Sequence, residues 1–402
     1  MTGVFAALVG QDEVVAELRR AAQAAGASLT GAGRSGADVS GADVSGAGPG
    51  MTHAWLFTGP PGSGRSTAAR AFAAALQCER AGCGVCPACH TVLAGSHPDV
   101  EVVRPAGLSY GADDTRDLVR RAALSPAGRR WQVIVLEDAD RLTEVAANVL
   151  LKSIEEPPAR TVWLLCTPAP DDLVPTIRSR CRLLGLRTPS VAAVTEVLAA
   201  RDGVDRAMAA FAARASQGHI GRARRLATDE GARRRRAEVL RLPDVVAGVR
   251  DCLVAAANLV EAAEEEAREQ TAELDAGEVA GLRQAYGEGG SSRGLARGAE
   301  AALKDLDRRQ KSRAKRLQRD ALDRALVDLA SFYRDVLAVQ FGSTVGLVND
   351  EVRGQVTEAA RRATPEQTLR RWQAVLACRE QVAANVAPLL AVEAMTLTLR
   401  AG

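Results

Sequence analysis

Short apolar runs alternate with amphipathic stretches through the first half of the chain. Residues 9–25, VGQDEVVAELRRAAQAA, space their apolar positions as a helix does, with Gln11 and Asp12 where a cap and an acid suit a helix N-terminus. AWLFT (54–58), VEVVRP (100–105), WQVIVLED (131–138), TVWLLCT (161–167) and RLLGLR (182–187) read as strands. Between them, RSTAARAFAAAL, DDTRDLVRRAA and residues 143–155 read as helices, the last stopped by Pro157 and Pro158. Strands that are apolar on both faces and alternate with helices predict an α/β fold with a buried parallel sheet. Residues 26–50, where GADVS occurs twice in tandem, read as a flexible insertion.

After about residue 190 the strand signals cease. Residues 190–230 predict a small helical domain and 233–402 a larger one. The larger holds YGEGGSSRG, read as a loop within 271–300, and RRQKSRAKRLQR (308–319), with seven bases and no acid. That run is either a solvated helix face or a contact to a phosphate backbone or partner.

Composition narrows the picture. The 402 residues suffice for two or three domains. Aromatics are only 3%, so the cores are built from Ala, Leu and Val, which favours close-packed helices and argues against a base-stacking platform. A net charge of +3 implies no uniform polyanion-binding surface. No apolar run reaches the roughly 18 residues of a membrane span, and MTGVFAALVGQDEVV lacks the basic start of a signal peptide, so a cytoplasmic location is expected.

GPPGSGRST (59–67) follows the first strand and opens a helix. Gly59, Gly62 and Gly64 let the backbone wrap phosphates, the helix N-terminus attracts anions, and Ser66 or Thr67 would hold magnesium. The expected lysine is replaced by Arg65, which is longer and forked, so it fits a tight γ-phosphate site poorly. The third strand delivers Glu137 and Asp138, carboxylates of the kind magnesium and a polarised water require, in the reverse of the usual order. CERAGCGVCPAC places Cys78, Cys83, Cys86 and Cys89 at C-x4-C-x2-C-x2-C spacing, which suits a closed structural zinc. His90 could replace one sulfur, and an iron–sulfur cluster is the rival.

The order VGQ, GPPGSGRST, the four-cysteine module, HPDV (97–100), VIVLEDADRLTEVAANVLLKSIEEPP and SRC (179–181) resembles that of the bacterial clamp-loader AAA+ subunits over about residues 1–230. The resemblance implies a RecA-like parallel-sheet domain over 1–188 with the zinc module at 78–89. It further implies a helical lid over 189–232 and a helical collar over 233–402, with an insertion around 271–319. It also implies a place in the DNA polymerase III holoenzyme, beside gamma/tau and delta subunits in a hetero-pentamer that loads a sliding clamp onto primed DNA. Val9, Gly10 and Gln11 match the adenine-side segment, and Arg180 matches an arginine finger that reaches a neighbour's ATP. Gly221 falls where a motor subunit has its sensing arginine, with Arg222 beside it, and Thr167 falls at the threonine after the fourth strand. Arg65, the Glu137–Asp138 order and Gly221 depart from the motor pattern. They point to a delta-prime-like stator whose loop can take ATP or ADP with Mg2+ but whose own ATPase activity is weak or absent, and which has no polymerase activity. A hydrolysing gamma/tau-type motor is the alternative.

Overall fold

The computed structural model describes residues 3–29, 50–105, 107–128, 130–286 and 293–402, with side chains left out at 286 and 293–299. The chain divides into two compact units, Met1–Arg224 and Arg225–Gly402.

The first unit opens with a 3-10 turn, Val4–Ala7, and helix α1, Asp12–Leu29. Then come β1 (Ala54–Thr58), α2 (Arg65–Gln77), α3 (Pro87–Ala94), β2 (Val100–Val103), α4 (Ala112–Ala122), β3 (Gln132–Leu136) and α5 (Glu144–Glu155). They are followed by β4 (Thr161–Thr167), the short α6 (Pro175–Arg178), β5 (Arg182–Gly185), α7 (Val191–Ala200), α8 (Arg206–Ala215) and α9 (Ile220–Thr228). The five strands form one parallel sheet in the order β2-β3-β4-β1-β5. Successive residues feed opposite cores. Trp55 and Phe57 of β1 enter the core under α1 and α2, whereas Ala54 and Leu56 enter the core formed with α4 and α5. This is why the central strands carry no polar face.

The structure corrects the expected insertion. Helix α1 runs to Leu29, so Gly26–Leu29 belong to it rather than to an insertion starting at residue 26. Ala25 is fully buried, and within this last turn Ser28 Oγ donates to the Ala25 carbonyl at 2.9 Å. The rest of the expected 26–50 insertion, residues 30–49, lies outside the described residues.

The second unit is helical throughout its described residues: α10 (Glu230–Val245), α11 (Val249–Tyr286), α12 (Arg293–Gln340), α13 (Arg353–Arg362), α14 (Pro365–Ala383) and α15 (Pro388–Ala401). Its core is Leu, Val and Ala with Phe332 and Tyr333. Inside it Arg236 is buried and bonds Asp328 at 3.1 Å, Asn349 at 2.6 Å and Glu351. Buried Asp335 accepts from the Asn349 amide at 2.7 Å, so the connection before α13 is tied to α12 by ion pairs and backbone. The loop expected within 271–300 is largely helix: α11 continues through Tyr286 and α12 begins at Arg293. Only residues 287–292 of that span lie outside the described backbone. The 308–319 run lies wholly within α12.

Candidate functional site

The loop from Gly59 to Gly64 turns sharply between β1 and α2. Gly59 has φ +141°, and a Cβ there would stand 2.4 Å from the Leu186 carbonyl oxygen. Gly62 has φ +88°, and a Cβ there would meet Cα of His219 at 2.6 Å. Only glycine fits either place. Gly64 caps α2 with φ +94°, and half-buried Ser66 and exposed Thr67 stand in the helix's first turn. The anion-attracting helix terminus expected from the motif is therefore built.

Arg65 is turned back on the loop: its Nη1 donates to the Gly59 carbonyl. Burial lowers its pKa, offset only in part by Cys166, Asp138, Asp140 and Glu137, so the cation sits in a place that penalises charge. The residues expected at this site are thus brought within electrostatic range of one another. Their bonds run elsewhere, however. Glu137 is buried and its carboxylate is shared by Arg70, at 3.0 Å, and Arg104. Its amide donates to Val103 at 3.0 Å, and its carbonyl accepts from Tyr110 Oη at 2.5 Å. Glu137, expected as a magnesium carboxylate, is thus held here by two arginines. Asp138 follows in the left-handed region, φ 53°. Buried Thr167 donates its hydroxyl to the Ala169 carbonyl at 2.9 Å.

On the adenine side, Val9 is half-buried and Gly10 exposed. Gln11 is buried, donates to the carbonyls of Arg187 at 2.5 Å and Ser63 at 3.4 Å, and accepts from the Arg187 amide at 3.2 Å. It stitches the start of the chain to the phosphate loop and to the backbone after β5. Gly221 is exposed in α9, and the Arg222 amide donates to His219 Nδ1 at 3.2 Å. His219, the residue against Gly62, was not legible as a site residue. Nor were Arg70 and Arg104.

Cys78, Cys83, Cys86 and Cys89 gather with all four sulfurs within 4.8 Å of one another. The Cys78–Cys83 and Cys78–Cys86 sulfurs lie 3.6 and 3.7 Å apart. A tetrahedral zinc with Zn–S bonds near 2.3 Å needs sulfur edges of about 3.8 Å, so the donor set fits that ion. The amides of Cys83, Gly84 and Cys89 each point at a sulfur at 3.4 Å. For Cys78 burial opposes the thiolate, but the amides of Cys83, Gly82 and Arg80 outweigh it and lower the pKa. The Val85 amide leads in lowering Cys83 to about 6, whereas burial pushes Cys89 up. His90 is exposed and stands outside the group. The chain's first turn packs on this module: the Val4 amide donates to the Gly82 carbonyl at 3.1 Å, and a Cβ on Gly84 would lie 2.9 Å from Gly3 Cα.

Arg180 lies apart from the loop, between α6 and β5. It is half-exposed, donates to the Thr176 carbonyl at 2.8 Å and pairs with Glu155 at 2.5 Å. Next to it, burial raises Cys181 to about 12.

The family described as "DNA polymerase III, delta subunit" matches residues 47–190. The delta' subunit of DNA polymerase III from Pseudomonas aeruginosa is 41% identical over 153 residues, 37% of this chain and 47% of that protein. The gamma/tau subunit from Mycobacterium tuberculosis is 37% identical over 148 residues, 34% of this chain and 26% of that protein. Among solved structures, a DNA polymerase III gamma subunit-related protein of Thermotoga maritima aligns over 86% of this chain and 93% of its own. Its identity is 15% and its TM-score 0.33. The RuvB branch-migration motor of the same organism covers 57% of this chain and 63% of its own at 20% identity and a TM-score of 0.37. The chain thus spans less than half the length of the curated relatives it matches. The region that the family model matches holds the five-stranded parallel sheet with its flanking helices. The sequence is similar to both the delta' and the gamma/tau subunits of DNA polymerase III.

Proposed function

We infer that this chain serves as a delta-prime-like stator of the DNA polymerase III clamp loader and not as one of its motors. The observation that carries the reading is the state of the catalytic acid position: Glu137 is bound by Arg70 and Arg104 while Arg65 bends onto the Gly59 carbonyl. A hydrolytic site needs a free carboxylate to place magnesium and water and a cation aimed at the γ-phosphate. Here both are occupied within the protein. ATP or ADP with Mg2+ would still be met by Ser66, Thr67 and the amides at the start of α2. The zinc is structural, because four protein sulfurs leave no open position.

In this reading Arg180 supplies the chemistry, as a positive group offered to ATP on a neighbouring gamma/tau subunit. The chain works in the cytoplasm with gamma/tau and delta subunits, the sliding clamp and primed DNA. The test uses the full chain and the reconstituted loader. The chain alone, with clamp and primed DNA present, is expected to hydrolyse ATP negligibly. Arg180→Ala is expected to fold normally yet slow the loader's hydrolysis at least tenfold. An unchanged loader rate refutes the finger. Robust turnover by the chain alone, lost in Glu137→Gln, establishes instead the motor reading, which the intact Gly59, Gly64 and Ser66 favour.

A further inference from the structure

The basic run of α12 is not uniform around the helix. At 100° per residue, Lys304, Arg308, Lys311 and Lys315 fall within about 60° of one another, and Arg313 falls on the opposite side. The two sides have different surroundings. Arg313 bonds Glu278 at 3.0 Å and also pairs with Asp275, both on α11, and Gln310 bonds Glu278 at 3.2 Å. Nearer the core, Gln318 meets Glu264 at 2.9 Å and Arg324 meets Glu266 at 2.6 Å. These bonds join α11 and α12 as an antiparallel pair. Between Glu264 and Glu278, α11 carries seven acids and one base. Within the basic run it is Arg313 that answers α11.

Four cations on the opposite side of α12, Lys304 among them, face away. Lys304 and Lys315 are exposed, and the Arg308 and Lys311 side chains are 70% and 72% exposed. Their ion pairs, Arg308 with Asp305 at 3.2 Å and Lys311 with Asp307 at 2.8 Å, are local and solvated, so they are weak and exchange readily. The stripe is about 16 Å long and presents a cation every 5 Å or so along one helix. A nucleic-acid strand carries one charge per about 3.4 Å of duplex axis. No aromatic residue occurs between Val249 and Ala285 or between Arg293 and Arg319, so nothing there can stack unpaired bases.

We propose that this outward stripe of α12 binds the phosphate backbone of a double-stranded nucleic acid, without reading its sequence. Acidic α11 repels the same polyanion and so fixes which side of the helix pair it approaches. The proposal rests on the second unit alone and stands apart from the roles given to Arg65, Glu137 and Arg180.

The test is fluorescence anisotropy of the full chain with a labelled duplex DNA of arbitrary sequence, between about 50 and 200 mM salt. The variant carries Lys304→Gln, Arg308→Gln, Lys311→Gln and Lys315→Gln. A charge-matched control carries Arg353→Gln, Arg361→Gln, Arg362→Gln and Arg370→Gln, four exposed arginines elsewhere in the unit. Circular dichroism checks that both keep their helix content. Without the four stripe cations to neutralise phosphates, the log–log salt slope should fall by about 3 to 4 in the stripe variant and hold in the control. Duplex RNA should behave as duplex DNA does. A slope change below about 1, or one matched by the control, overturns the proposal. So does a stripe variant that binds duplex normally but no longer assembles with the other loader subunits, which would make the stripe a protein-binding surface.

Discussion

The phosphate loop and the cysteine module lie within thirty residues of each other and flank the same helix, α2. Both are backbone-built, with glycines at positive φ and amides turned inward. Yet at Cys78–Cys89 every donor converges on one point, whereas at Gly59–Thr67 the charged groups have found partners within the protein. The difference is one of competition. Thiolates have few good partners in a protein other than a metal, so the sulfurs stay available for one. A guanidinium or carboxylate pairs with any opposite charge or carbonyl nearby, so one arginine too many at 70 and 104 is enough to occupy Glu137.

The largest effect that can sharpen this contrast is at the cysteines. Elemental analysis should find one zinc per chain, and Cys78→Ser with Cys89→Ser should abolish it and lower the thermal midpoint by more than about 5 °C. A wild-type chain that shows iron and sulfide absorption breaks the zinc side of the comparison. Next is Gly62→Ala. The left-handed backbone and the meeting with His219 should cost about 2 kcal/mol or more, measured by denaturant unfolding. A neutral result means His219 does not rest on the loop. Smaller still, Arg65→Lys should tighten ATP about tenfold in calorimetry, because a slimmer cation leaves the Gly59 carbonyl more easily. It should not create turnover while Glu137 stays paired. Turnover from that single change would show that the acid is free after all. Smallest is Glu155→Gln. Loss of its half-exposed pair with Arg180 should change stability by less than about 1 kcal/mol.

Much of this was legible in the sequence because it depends on local spacing. The strands announced themselves as apolar runs, and the cysteine spacing alone defined a cluster that the fold then gathers. What stayed hidden depends on pairing between distant segments. Arg104 follows Val103, and Glu137 follows Leu136. The two meet because Val103 and Leu136 are partners in the parallel β2–β3 ladder. No motif carries that information before the strand order is known. Arg70, on α2, likewise meets Glu137 only once the helix is packed on the sheet. His219 hid behind a glycine: only the built loop reveals that Gly62 is small to admit something. The 308–319 run shows the opposite error, since counting its charges said nothing of how α11 divides them between two faces.

The turn at Val4–Ala7 has one more consequence. One end of the segment 3–11 is fastened to the cysteine module through Gly82, the other to the phosphate loop and the strand beyond through Gln11. Phe5 and Leu8 are buried along the way, so the segment has little slack. A tether of nine residues anchored at both ends transmits displacement. A displacement at the cysteine module is therefore expected to reach the phosphate loop along this segment.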